Sequence, residues 1–200
     1  MNIAVFCSGN GTNLQAIIDS QKKGYIKADI KLVVSDTPDC YAVTRAKDAG
    51  IKIFVVERKN FKTKKAFEAD ILKALKKENI GLIVLAGYMR MLSGDFIASY
   101  ENKIMNIHPA LLPSFKGVHG IKDAFEYGVK ITGATVHFVT LDMDAGPIIL
   151  QSSVKVTEDD TEETLAGAIH EEEHKIYPRA IQLFVEGKLK IEGRKVRILE

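Results

Sequence analysis

Cysteine is scarce. Cys7 and Cys40 are the only two, which excludes a disulfide framework and leaves no paired spacing of zinc ligands. Both read as reduced thiols of a cytosolic protein. An excess of charge of one sign is equally lacking. The formal net charge is +2, so nothing points to nucleic acid as an obligate partner. No apolar run is long enough to span a bilayer, and no membrane partner is expected. The N-terminus passes directly into Ile3-Ala4-Val5, without the basic region and long apolar core of a signal peptide. Internal repeats and low-complexity linkers are missing too. These absences describe a soluble, cytoplasmic protein.

With 200 residues, 46% of them hydrophobic and 27% charged, the chain can bury a sizeable core and stay in solution. One domain is expected over 1–200, in two halves, 1–100 and 101–200. Apolar, β-branched runs recur at Ile3–Cys7, Ile30–Val34, Ile51–Val56, Ile80–Ala86 and Ile104–Ile107. Helical stretches lie between them, at Asn13–Lys23, Tyr41–Ala49, Lys64–Lys77 and Gly94–Tyr100. This alternation predicts an α/β fold, a Rossmann-like and mostly parallel twisted sheet with helices on both faces. Ligands of such sheets sit at the carboxyl ends of the strands.

After Asn106 the rhythm changes, and antiparallel additions are expected in the C-terminal half. A Pro- and Gly-rich loop runs from His108 to Gly120, and longer strands follow near Gly133–Leu141 and Ile148–Val156. A helix is predicted from about Thr161 to Val185, with Asp160 as N-cap, Glu163 at the capping-box position, and a kink at Pro178. Lys188–Leu199 alternates around Gly193 as a small hairpin. The lysine-rich stretch Lys59–Lys77 reads as a solvated helix face.

Three segments carry chemistry. The first is Ser8-Gly9-Asn10-Gly11-Thr12-Asn13-Leu14, a glycine-rich turn from strand to helix. Glycines admit an anion close to the backbone, and a helix N-terminus offers N–H groups and partial positive charge, so phosphate is the natural guest. No Gly-Lys-Ser/Thr follows, so it is not a P-loop. Leu14 replaces the third glycine of a dinucleotide fingerprint. A plain tight turn remains the alternative.

The second segment is Asn106-Ile107-His108-Pro109 at a strand end, paired with Leu141-Asp142-Met143-Asp144-Ala145-Gly146-Pro147 between two strands. Alternation puts Asn106 and His108 on one side. If Asp144 reaches His108, it favours the imidazolium, and Asn106 with His108 can both donate to a developing oxyanion. That suits acyl or formyl transfer to an amine, directly, since no serine or cysteine nucleophile is offered. Alternatively, the turn aspartates cap their own backbone.

The third is His170-Glu171-Glu172-Glu173-His174, which matches a zinc-protease signature on a helix. No third ligand is suggested by spacing, so no metal is expected. Glu173 falls inside an apolar stripe of Leu165, Ile169, Ile176, Ala180 and Phe184, where a carboxylate needs a partner or a polar ligand. An internal salt bridge is the alternative to an amine or sugar hydroxyl.

Taken together, the chain resembles the phosphoribosylglycinamide formyltransferases, folate-dependent enzymes of purine synthesis, over nearly its whole length. The resemblance rests on Gly9–Gln15, Leu85–Leu92, Asn106–Pro113, Gly133–Val139, Asp144–Ile148 and Glu173–Pro178. It implies the formyltransferase fold, with a phosphate-binding first half and a folate-binding, catalytic second half. It implies that Asn106, His108 and Asp144 form a catalytic trio. Gly11, Thr12 and Asn13 would hold the phosphate of glycinamide ribonucleotide, and His170, Glu171, Glu172 and Glu173 its ribose and amine end. Met89, Arg90, Met91 and Leu92, with Asn106, Thr140, Leu141, Asp142, Met143 and Asp144, would bind the folate, and Lys64 its tail. 10-Formyltetrahydrofolate would be the formyl-donor co-substrate. Two relatives share the trio, formyltetrahydrofolate deformylase and methionyl-tRNA formyltransferase. The extra N-terminal domain of the first and the extra C-terminal domain of the second are not expected here. Hydrolysis of the formylfolate and a non-catalytic phosphate- or nucleotide-binding module are the alternative readings.

Overall fold

Strand β1 (Asn2–Cys7) is apolar without alternation, and Ile3 through Cys7 are all fully buried. A strand hydrophobic on both faces must be covered on both. The computed structural model describes residues 1–200, in two compact units, Met1–Met105 and Asn106–Glu200.

In the first unit β1 is followed by α1 (Thr12–Lys22), β2 (Asp29–Ser35), α2 (Tyr41–Asp48) and β3 (Ile53–Val55). A 3-10 turn at Arg58–Asn60, α3 (Lys64–Lys77), β4 (Ile80–Leu85), α4 (Gly94–Ser99) and the start of β5 (Ile104–His108) complete it. The strand order is β3-β2-β1-β4, and the β1–β2, β1–β4 and β2–β3 pairs are parallel. The chain moves outward from β1 through β2 to β3, then returns to the other side of β1 as β4. In open α/β sheets such a reversal marks where ligands bind, here beyond the carboxyl ends of β1 and β4. The turn after β1 and the segment Ala86–Leu92 after β4 are therefore at the switch point. Helix α3 starts where the Thr63 hydroxyl accepts from the Ala66 N–H at 3.1 Å, a cap worth about 1 kcal/mol. It buries Phe67, Glu68, Ile71 and Leu75 and leaves its lysines exposed, so Ile71→Ala would cost roughly 2–5 kcal/mol.

In the second unit, α5 (Gly120–Tyr127), β6 (Ile131–Phe138), β7 (Ile148–Lys155), α6 (Glu162–Val185), β8 (Leu189–Glu192) and β9 (Lys195–Ile198) follow β5. The order is β5-β6-β7-β9-β8. The β6–β7 and β8–β9 pairs are antiparallel, as expected of this half. Leu165 and Ile169 of α6 pack on Ala134, with Ile121, Phe125, Val154 and Val156 around them. Burying each of the two large side chains stabilises by about 1.5–3 kcal/mol. A Cβ at Gly133 would stand 1.9 Å from the Ser152 carbonyl oxygen, so only glycine lets β6 and β7 approach there.

Three expectations are corrected. The N-cap of α6 is Thr161, not Asp160, and its capping box closes on Thr164, not Glu163. The Asp160 carboxylate already accepts from the Thr157 N–H at 2.7 Å and the Thr164 hydroxyl at 2.8 Å, which leaves the next hydroxyl to cap. The buried face of α6 runs through Leu165, Ile169, Glu173, Tyr177, Ala180 and Ile181, while Ile176 and Phe184 are half-buried. Third, α5 emerges from a stretch that carried no expected helix. It opens on Gly120 behind an N-cap with no side-chain bond, so the usual start signal is missing.

Candidate active site

Within the first unit, the turn after β1 ends at Gly11, the N-cap of α1, with φ 76° and no side-chain cap. Left-handed backbone already favours glycine there. A Cβ would also stand 2.7 Å from the Ala42 Cβ and 2.9 Å from its Cα. Thr12 and Asn13 open the helix behind it.

Beyond β4, the segment Gly87–Ser93 is fastened at three points. Ser8 donates its N–H to the Gly87 carbonyl at 3.0 Å and accepts from the Met89 N–H at its hydroxyl at 3.0 Å. Arg90 Nε donates to Asp36 Oδ2 at 2.5 Å. Glu68, 4% exposed, accepts from the Ser93 N–H at 2.8 Å and from the Ser93 hydroxyl. Met89 and Met91 are exposed between these anchors, while Leu92 is buried. Lys64 Nζ is 3.8 Å from Glu68 Oε1. The Tyr88 hydroxyl is buried without a hydrogen-bond partner, and burial, with Asp36 nearby, pushes its pKa up. Asp36 and Glu68 were not foreseen. Carboxylates in a loop and on a lysine-rich helix read as solvated, and their partners are 54 and 25 residues away. Burial pushes the Cys7 thiol up to about 12, so it offers no thiolate.

Within the second unit, β5 presents Asn106 and His108 on one side, with Ile107 between them on the other. Asn106 Nδ2 is 3.2 Å from His137 Nε2, and His137 Nδ1 is 2.9 Å from the Phe138 carbonyl oxygen. A carbonyl only accepts, so Nδ1 carries the proton and Nε2 of the neutral ring accepts from the Asn106 amide. Burial pushes the His137 pKa down, against the Phe138 carbonyl and Asp144, which keeps the ring in that neutral form. His108, 3% exposed, places Nδ1 3.6 Å from Asp144 Oδ2. Its Nε2 donates to the Phe115 carbonyl at 2.7 Å. Asp144 Oδ2 also accepts from the Gly117 N–H at 2.9 Å, and Oδ1 is 3.7 Å from His137 Nε2.

The loop that delivers these backbone groups is held from β6 and β7. The Thr135 hydroxyl donates to the Ala110 carbonyl at 2.7 Å and accepts from the Leu112 N–H at 3.0 Å. Gln151 Nε2 donates to the Leu112 carbonyl at 3.0 Å. A Cβ at Gly120 would stand 3.1 Å from His108 Nε2, and one at Gly146 would stand 1.7 Å from the Phe138 carbonyl oxygen. Glycine after Asp144-Ala145 is thus what lets the aspartate turn close on the end of β6.

Asn106, His108 and Asp144 therefore gather in one cluster, with a difference from expectation. His108 and Asn106 were expected to point together at an acceptor, but Phe115 occupies the Nε2 proton of His108. His137 was missed. Its signal was its place beside Thr135 on the same side of a strand, but its role depends on Phe138 fixing the tautomer.

On α6, His170 Nδ1 is 2.9 Å from Glu173 Oε2. That bond pushes the His170 pKa up, against burial. Glu172 accepts from the Ser152 hydroxyl at 2.5 Å and from Lys175 Nζ at 2.6 Å, and Glu171 is exposed. The buried Glu173 thus has an internal partner. No group of three or more His, Cys, Asp or Glu side chains is arranged to share a metal ion. In the turn before Asp144, the Thr140 hydroxyl donates to the Asp142 carbonyl at 3.4 Å, and Leu141, Asp142 and Met143 are exposed.

A family model described as formyl transferase matches residues 1–181. The phosphoribosylglycinamide formyltransferase of Bacillus subtilis is 44% identical over 179 residues, 90% of this chain and 92% of that protein. The trifunctional purine biosynthetic protein adenosine-3 of Gallus gallus is 44% identical over 96% of this chain, but the chain spans only 19% of that protein's length. Among solved structures, glycinamide ribonucleotide transformylase 1 from Symbiobacterium toebii superposes with a TM-score of 0.98 at 47% identity, over 100% of this chain and 94% of that one. The mostly parallel α/β architecture is that of these transformylases.

Proposed function

Because the chain belongs to the formyl transferase family, we propose that it transfers the formyl group of 10-formyltetrahydrofolate to the amine of glycinamide ribonucleotide. The products are formyl-glycinamide ribonucleotide and tetrahydrofolate, in de novo purine biosynthesis in the cytoplasm. The observation that carries this reading is the cluster of Asn106, His108, His137 and Asp144. It offers hydrogen-bond donors and a carboxylate but no activated nucleophile.

In this reading the neutral amine attacks the formyl carbon, and the carbonyl electrons move onto oxygen. The Asn106 amide, oriented by the neutral His137, donates to that oxyanion. His108 joins it by exchanging the Phe115 carbonyl for the substrate oxygen. The carbon–nitrogen bond to folate then breaks, the folate nitrogen gains a proton, and the amine loses one. Asp144 holds the charge of His108 and passes protons through water. Gly11, Thr12 and Asn13 hold the substrate phosphate on the α1 N-terminus. His170, Glu171, Glu172 and Glu173 meet the ribose and the amine. Met89, Arg90, Met91 and Leu92 hold the folate ring largely through backbone groups, with Thr140, Leu141, Asp142, Met143 and Asp144. Lys64 meets the folate tail once it leaves Glu68. No metal takes part.

Purified, chelator-treated protein given both substrates is expected to form the formylated nucleotide, and Asn106→Ala to lose roughly 10²–10³ in kcat. Release of formate without loss of the amine would establish the hydrolase instead. Absence of either product, with nucleotide still bound, would leave a binding module.

A further inference from the structure

The glycine-rich turn is not free-standing. Helix α2, eight residues long and starting at Tyr41, backs it. The Ala42 N–H donates to the Gly9 carbonyl at 3.1 Å, and Ala42 fills the space a side chain on Gly11 would need. One turn along, the guanidinium of Arg45 spends three donors on the same segment. Nε donates to the Asn10 carbonyl at 3.0 Å, Nη2 to Asn10 Oδ1 at 3.0 Å, and Nη1 to Gln15 Oε1 at 3.2 Å. The guanidinium lies over the Tyr41 ring, 4.6 Å from Arg45 Cζ to the ring centroid. Arg45 thus grips the chain on both sides of Gly11, before the turn and one turn into α1.

We propose that Arg45 is a positioning residue which holds the Asn10–Gln15 turn pre-formed for the substrate phosphate. This rests on the reading that Gly11, Thr12 and Asn13 bind that phosphate. Glycines make the turn intrinsically mobile, and a mobile anion site spends part of its binding energy on ordering itself. A planar fork with donors in fixed directions can hold two acceptors five residues apart, whereas the single ammonium of lysine cannot. The fork also keeps a positive charge beside a site that takes a dianion, with no acceptor atom to repel it.

The test is steady-state kinetics of Arg45→Met and Arg45→Lys with glycinamide ribonucleotide and 10-formyltetrahydrofolate, alongside Asn13→Ala. Arg45→Met is expected to raise KM for the nucleotide about tenfold or more, with kcat and the KM for formylfolate retained. Arg45→Lys is expected to recover little, because the bridge and not the charge is what positions the turn. A nucleotide KM unchanged in Arg45→Met, or restored to the wild-type value in Arg45→Lys, overturns the proposal. So does a parallel fall in kcat and rise in both KM values, the mark of general damage. A raised nucleotide KM in Asn13→Ala with a normal one in Arg45→Met overturns the role of Arg45 and leaves the phosphate reading standing. Normal values in both overturn the two together.

Discussion

At the residue scale, Asp144 is the most exacting position. Its backbone is left-handed, φ 48°, and its carboxylate faces two imidazoles while accepting a backbone N–H. Asp144→Asn keeps the shape and one acceptor oxygen for Gly117, but it removes the charge that supports His108. The variant is expected to fold as the wild type and bind both substrates, with kcat lower by roughly 10²–10⁴. Calorimetry of the fold and of each ligand, with kcat beside it, checks this, and an undiminished kcat would remove Asp144 from the mechanism. The position was legible in the sequence because an Asp between two strands and a strand-end Asn-x-His are local patterns. His137 was not. Its Nε2 meets Asn106 across 31 residues of chain, and only the Phe138 carbonyl tells which nitrogen accepts. Glu68 escaped for a similar reason, since a glutamate three residues after Lys65 and four after Lys64 reads as solvent-facing until Ser93 is folded onto it.

At the scale of elements, periodicity located nearly every strand and helix of the first unit, because buried parallel strands write themselves as continuous apolar runs. The helix α3 has the bounds the sequence predicts, Lys64–Lys77, since Thr63 supplies a start signal and Asn79, at φ 51°, an end. Where two capping residues compete, pattern alone chooses wrongly, as at α6. Asp160 and Thr161 both suit an N-cap, and the Thr157–Asp160 turn decides between them. Thr161→Ala removes a side-chain acceptor from the Thr164 N–H, 3.2 Å away, and should lower stability by about 1 kcal/mol. Asp160→Ala loosens the preceding turn and leaves the helix cap in place. Urea denaturation of the two variants, with helix signal followed through the transition, should show the fraying of α6 only in Thr161→Ala. Fraying in Asp160→Ala instead would restore the aspartate as the cap.

At the scale of the whole molecule, two histidines, one buried and one half-exposed, tie folding to pH with opposite signs. The His137 pKa is lowered, chiefly by burial, so the unfolded chain binds its proton more readily than the folded one. Its neutral ring therefore costs nothing above the ordinary histidine value of about 6.5, and stability is lost as pH falls from there through the lowered value. His170 is raised by Glu173. Its contribution is fully present below about 6.5 and is lost as pH rises through the raised value. The His170 side chain is 45% exposed, so solvent screens that pair and its share is small. His137, only 2% exposed, should dominate, with Asp144, His108 and Lys116 as the charges that modulate it. The expected outcome is that wild type loses stability between pH 7 and pH 5 relative to His137→Gln, which has no proton to gain at that position. Urea midpoints of both proteins across this range measure the difference directly. Parallel curves would mean that His137 takes up its proton equally in folded and unfolded chains. The neutral ring that orients Asn106 would then have to be abandoned, and with it that part of the oxyanion site.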